Sequence, residues 1–186
     1  MTKDIIDATE EALRKVVDPR FFQTERGFQG QFYCALQRQL EEKGLLKGGY
    51  LLEMEYQKSR RHGITQRPDI ILHVPAEVSG AQVIQNNLAV WALKKRATEE
   101  EAEQDFFRLD EMFDVLHYPL GFLVNIDAKN NFASSYQGRF PGRLRTVAVW
   151  LESTVMTAWG RPQANRPARR GKAGADLRRS ARRSRT

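Results

Sequence analysis

The sequence predicts an α/β domain, a mixed central sheet of four to five strands flanked by helices, with a disordered basic tail behind it. Three observations carry that expectation. Phe28, Phe32, Leu36 and Leu40 recur every fourth residue, the stripe of an amphipathic helix. Residues 50–57 alternate, with Leu52, Met54 and Tyr56 on one face and Leu51, Glu53 and Glu55 on the other, as a half-buried strand does. Two short apolar runs, 88–94 and 121–126, enclose a helical pattern and return after a short link, which describes a βαβ crossover between parallel strands.

Taken in order, Asp4 to Val17 forms a first helix, an extension of the domain. Asp18-Pro19 ends it, because the residue before a proline is pushed out of the helical region. A second helix runs from about Phe22 to Lys43 and stops at Gly44. Glu25 falls on the centre line of its apolar stripe and Gln29 close to it. An inward carboxylate costs free energy unless it has a partner or an opening. In a first helical turn it is instead solvated and favoured by the helix dipole. Both descriptions of Glu25 stand at this point.

Strands follow at 50–57 and 69–74, a hairpin around the polar loop KSRRHGITQRP. A third strand runs from Leu88 to Lys94. Thr98 then caps a helix and Glu101 completes a capping box at its third residue. Its apolar stripe is Ala102, Phe106, Leu109, Phe113 and Leu116, and it closes before Tyr118-Pro119. A fourth strand spans Gly121 to Ile126. The segment RLRTVAVWLESTVMTAW fits a helical stripe, but its valines favour a strand from Arg145 to Leu151.

The chain of 186 residues carries a formal charge of +7 that is unevenly placed. Residues 161–186 hold ten Arg or Lys against one acid, so the body, 1–160, is slightly acidic. A segment so poor in large apolar residues is expected to be disordered. Its arginines, among them Arg169, Arg170, Arg178, Arg179, Arg182 and Arg183, suit sequence-independent phosphate attraction, and equally a solubilising tail. The N-terminus does not read as a signal peptide, and no apolar run is long enough for a membrane span. The single cysteine, Cys34, excludes an internal disulfide and reads as a buried thiol in a reducing cytoplasm. Trp91 reads as core.

The stretches RPDIILHVP (67–75), NNLAVWALKK (86–95) and DFFRLDEMFDVLHYPLGFLVNI (105–126), in this order of elements, resemble the PD-(D/E)xK nuclease superfamily, with its restriction-endonuclease-like fold. The resemblance covers most of residues 20–126. It implies an acid opening the second strand, then an acid and a lysine two apart on the third. Asp69 matches the first acid and Lys94 the lysine, but Ala92 stands where the second carboxylate belongs. Residues two apart share a face of a strand, so two carboxylates there can hold a hard cation. The implied cofactor is Mg²⁺, bound weakly or not at all once the second carboxylate is lost.

Three functional expectations follow. The first is a nuclease-like domain with a degenerate site, acting as a nucleic-acid-binding or interaction module with little or no cleavage. The second is a Mg²⁺-dependent endonuclease whose second carboxylate has moved: Glu55 first, with Asp69 and Glu55 as metal ligands, then Glu25, with Glu103 and Asp105 behind them. The third is a non-enzymatic α/β interaction domain. Arg108 lies where some relatives place a second lysine or glutamine. Arg60, Arg61 and Arg67 in the hairpin loop, and Lys95 and Arg96 after the third strand, are candidates for phosphate contact, or simply solvated. Nucleic acid is the implied partner, with a protein partner or a homodimer as the alternative.

Deleting residues 161–186 is expected to weaken nucleic-acid binding and to reduce the slope of log affinity against log salt by at least about two. A salt titration of DNA and RNA binding, full-length against truncated chain, measures this. An unchanged slope would remove the tail from binding.

Overall fold

The computed structural model describes residues 1–54, 68–75, 86–151 and 153–156. Among them are three α-helices: α1 (Thr2–Arg14), α2 (Glu25–Glu42) and α3 (Glu99–Val115). Six strands form one sheet in sequential order: β1 (Leu51–Met54), β2 (Ile70–His73), β3 (Asn87–Lys95), β4 (Gly121–Ile126), β5 (Leu144–Trp150) and β6 (Ser153–Met156). The protein is thus α/β, with antiparallel pairs β1–β2, β2–β3 and β5–β6 and parallel pairs β3–β4 and β4–β5. No helix among the described residues is long and apolar enough to cross a membrane.

The expected four to five strands become six, because residues 144–156 hold a strand pair. β5 is hydrogen-bonded on both sides and almost wholly buried, so it reads as a near-continuous apolar run. That is why a helical stripe could be drawn through it.

The expected second helix is also split. Asp18 accepts the Arg20 N–H and opens a 3₁₀ turn at Pro19–Phe22. Thr24 then takes an extended backbone, and its hydroxyl accepts from the Gly27 N–H at 3.0 Å. α2 therefore starts at Glu25 itself, in its first turn. It ends as expected: Gly44 lies at φ 70°, the Leu45 N–H donates to the Leu40 carbonyl and the Gly44 N–H to that of Glu41. Cys34 is exposed rather than buried, since it lies off the stripe that Phe32 and Leu36 carry into the core.

The sheet separates two cores. On one face α1 and α2 seal it with Ile5, Phe28, Phe32 and Leu36 against Trp91, Phe122 and Val124. Trp91 is fully buried, stacks on Phe122 at 5.2 Å, and its indole N–H meets the Thr9 hydroxyl at 3.3 Å. The other face carries α3, with Phe106, Leu109 and Phe113 over Ile71, Val90 and Leu123, and Phe132 from the loop after β4 beside them.

The crossover has the expected capping box, with the Thr98 hydroxyl accepting from the Glu101 N–H and the Glu101 carboxylate from the Thr98 N–H. Buried Asn125 fixes its approach. Its Oδ1 accepts the Ala97 N–H at 3.0 Å and its Nδ2 donates to the Asn130 carbonyl at 2.7 Å. These bonds set where α3 begins above the end of β3.

At Gly121 the backbone passes so close to α3 that a Cβ would meet the Phe113 ring at 2.5 Å. Gly121→Ala is expected to cost about 1–3 kcal/mol by overpacking. Thermal or urea unfolding checks this, and the loss should shrink in a Phe113→Leu background.

Candidate functional site

β3 outruns its neighbour β2, and the site grows from that mismatch. The β2–β3 ladder ends at Ile70 opposite Trp91, while β4 follows β3 to Lys95. Along a strand the amide N–H groups point to alternate sides. Those of Val90 and Arg96 face β4 and bond to the Leu120 and Ile126 carbonyls. Those of Leu93 and Lys95 therefore face the side where β2 has ended.

Two carboxylates take these orphan donors. Asp69 Oδ2 accepts the Leu93 N–H at 2.7 Å, and Glu25 Oε2 accepts the Lys95 N–H at 3.0 Å. Asp69 is itself held by Gln29, a buried residue of α2 whose Nε2 donates to the Asp69 carbonyl at 3.1 Å. The two descriptions of Glu25 left open by the sequence both hold in part. It sits in the first helical turn, yet it is half-buried and bonded to β3.

Beside these acids lies a cleft of about 480 Å³ between β3 and α3. Glu25, Asp69, Ala92 and Lys94 line it from below, and Asp105, Arg108, Leu109 and Met112 from α3. Ala92 contributes only a methyl group under α3. Asp105 is 5 % exposed, and its Oδ1 pairs with Arg108 Nη1 at 2.6 Å. Lys94 makes no hydrogen bond or ion pair with the described residues, so its ammonium remains available to a ligand.

Burial pushes the Asp69 carboxyl up to about 6; the Leu93 N–H opposes the rise, the Glu25 and Asp105 carboxylates add to it, and Lys94 opposes it. Three acids thus converge on one cleft that Lys94 and Arg108 also line. Each keeps one oxygen free of hydrogen bonds to the described residues, and carboxylate oxygen is the donor chemistry that Mg²⁺ takes. Among the described residues, no three His, Cys, Asp or Glu side chains lie close enough together to hold an ion unaided. Water would have to complete the coordination, as Mg²⁺ commonly retains it.

The structure brings together Asp69, Lys94 and Glu25 of the expected site. It adds Asp105, which the sequence ranked behind Glu55 and Glu25. The signal was present, since Asp105 shares the inward stripe with Ala102, Phe106 and Leu109, where an acid needs a reason. Glu103, ranked with it, is exposed on the outer side of α3.

The Lys95 ammonium donates to the Gln23 carbonyl at 2.6 Å, and Arg96 pairs with Asp127 at 2.7 Å. Both groups tie loops together around the end of β3. Glu55, Arg60, Arg61, Arg67 and the tail arginines Arg169, Arg170, Arg178, Arg179, Arg182 and Arg183 lie outside the described residues. His73 is buried and contacts Glu53 across the β1–β2 pair, away from the cleft. Compared with protein-family models, curated proteins and solved structures, the chain matches none.

A carboxyl whose folded-state pKa lies above its unfolded value, near 3.9, destabilises the fold once ionised. The penalty is absent below about pH 4 and complete above about pH 6. Asp69→Asn is therefore expected to stabilise the protein at pH 7.5, by at most about 3 kcal/mol, and to leave it unchanged at pH 4. Melting temperatures of the two proteins across that range give the answer.

Proposed function

We propose that this chain is a divalent-cation-dependent phosphodiesterase acting on nucleic acid. Its cleft would be a PD-(D/E)xK-type site in which a carboxylate from α3 replaces the one missing at position 92. The observation that carries the reading is the convergence of Asp69, Glu25, Asp105 and Lys94 on one cleft beside the gap left by Ala92. The element order supports it as well: α2, the antiparallel β1–β2–β3, then the crossover α3 to parallel β4. That is the order that the resemblance leads one to expect.

In this reading Asp69 and Asp105 would hold the cation, with Glu25 beside them. Bound Mg²⁺ supplies charge to offset that on the phosphate and lowers the pKa of a water molecule. Lys94, unpaired among the described residues, orients the attacking water or meets the negative charge that develops on the phosphate. The Leu93 N–H and Gln29 hold Asp69 in place, so its free oxygen is pre-positioned. Lys94 and Arg108 offset the negative charge of the acids as a polyanion approaches.

A second reading keeps binding and drops the reaction: a nucleic-acid-binding domain with a degenerate site. Ala92 at the motif position favours it, as does the lack, among the described residues, of a three-ligand group.

DNA and RNA are to be incubated with Mg²⁺ or Mn²⁺ and each of several variants. The wild type is expected to cleave one of them only with the cation. Asp69→Ala should abolish cleavage and Asp105→Asn should slow it by at least about 100-fold. A wild type that binds without cutting, together with cation binding gained in Ala92→Glu, would establish the degenerate reading instead.

A further inference from the structure

We propose that Arg108 is a phosphate-sensitive lock on the cation site, so that nucleic acid and divalent cation bind cooperatively. The inference rests on the phosphodiesterase reading above and concerns how that site is controlled.

Asp105 and Arg108 lie three apart on α3, one turn of the helix, and form an ion pair at 2.6 Å. Their surroundings differ sharply. The Asp105 side chain is 6 % exposed, while that of Arg108 is 49 % exposed. Arg108 lines the cleft and also a shallow hollow on the outer side of α3, beside Phe107. Its guanidinium therefore covers the inward carboxylate from the solvent side. A change of side-chain rotamer removes it without moving the helix.

Two constraints turn this pair into a coupling device. A buried carboxylate stripped of its partner is strongly destabilised, so Asp105 releases Arg108 only if another cation replaces it. Arg108 in turn gains by leaving only if another anion receives it, and a phosphate matches its planar fork of donors. Either exchange alone is unfavourable, whereas the two together conserve every charged contact.

Charge count supports the pairing of the two events. Three carboxylates and two cationic side chains line the cleft, leaving one net negative charge when all are ionised. With the guanidinium swung out to a phosphate, two negative charges remain, the number a divalent cation neutralises. Linkage then requires that the nucleic acid raise cation affinity by the same factor as the cation raises nucleic-acid affinity.

The test is a double-mutant cycle on the full chain. Mn²⁺ binding is read by calorimetry, and binding of a phosphorothioate DNA oligonucleotide by fluorescence anisotropy with and without Mn²⁺. In the wild type, Mn²⁺ is expected to tighten oligonucleotide binding about tenfold. In Arg108→Gln, Mn²⁺ alone should bind at least about tenfold tighter than to the wild type, and the coupling should vanish. In Asp105→Asn the coupling should also vanish, and adding Arg108→Gln to it should leave Mn²⁺ affinity unchanged.

Should Arg108→Gln raise Mn²⁺ affinity equally in the Asp105→Asn background, the effect is diffuse electrostatics and the lock is overturned. Coupling retained in Arg108→Gln overturns it as well, while leaving the cation site intact. If neither wild type nor Arg108→Gln binds Mn²⁺ in an Asp69-dependent way, the phosphodiesterase reading itself fails.

Discussion

Among the described residues, the last four of β3, Ala92 to Lys95, have a sheet neighbour on one side only, and much of the site follows from that constraint. An amide N–H left without a partner in a half-buried setting costs free energy comparable to a lost hydrogen bond. Continuing β2 would satisfy those groups but would close the cleft. The chain instead meets the Leu93 and Lys95 donors with the side chains of Asp69 and Glu25. Two acids are thus brought to one edge for backbone reasons, each with its second oxygen free of hydrogen bonds to the described residues.

The two faces of the sheet divide the work. The face under α1 and α2 is filled by aromatic and aliphatic packing with Trp91 and Phe122 at its centre. The face under α3 leaves a cleft beside Ala92, whose side chain is only a methyl group. Burial first, and the acids that border the gap after it, raise the cost of ionising Asp69. Functional sites commonly carry such local instability while the rest of the fold supplies the compensation.

Much of the fold was legible in the sequence because its signals are local. The i, i+4 stripe of α2, the capping box at Thr98, the stop at Gly44 and the span of β4 depend on a few neighbouring residues, and the structure agrees with each. Two signals were missed for identifiable reasons. Thr24 was not taken as a cap, so the 3₁₀ turn before it was merged into α2. Strand β5 was expected at 145–151 and is found at Leu144–Trp150, but β6, which follows it almost at once and pairs back onto it, was not read as a separate strand. At the site, Asp69 and Lys94 were singled out by the resemblance of the stretches that carry them, and both line the cleft. Asp105 sat on an apolar stripe in plain view, yet its sharing a cleft with Asp69 and Glu25 is a matter of tertiary placement that spacing does not encode.

The sequence by itself determined the α/β class, the order of elements, a basic C-terminal stretch and the alanine at position 92. These are properties of short windows, of composition or of a single position. Only the tertiary structure decided that Asp69, Glu25 and Asp105 share one cleft. They come from a strand end, a helix start and the middle of a crossover helix, far apart along the chain. What unites them is the unequal length of β2 and β3 and the way Asn125 seats α3 above β3. Strand mismatch and helix placement are fixed by packing across the whole sheet, so no local pattern could carry them.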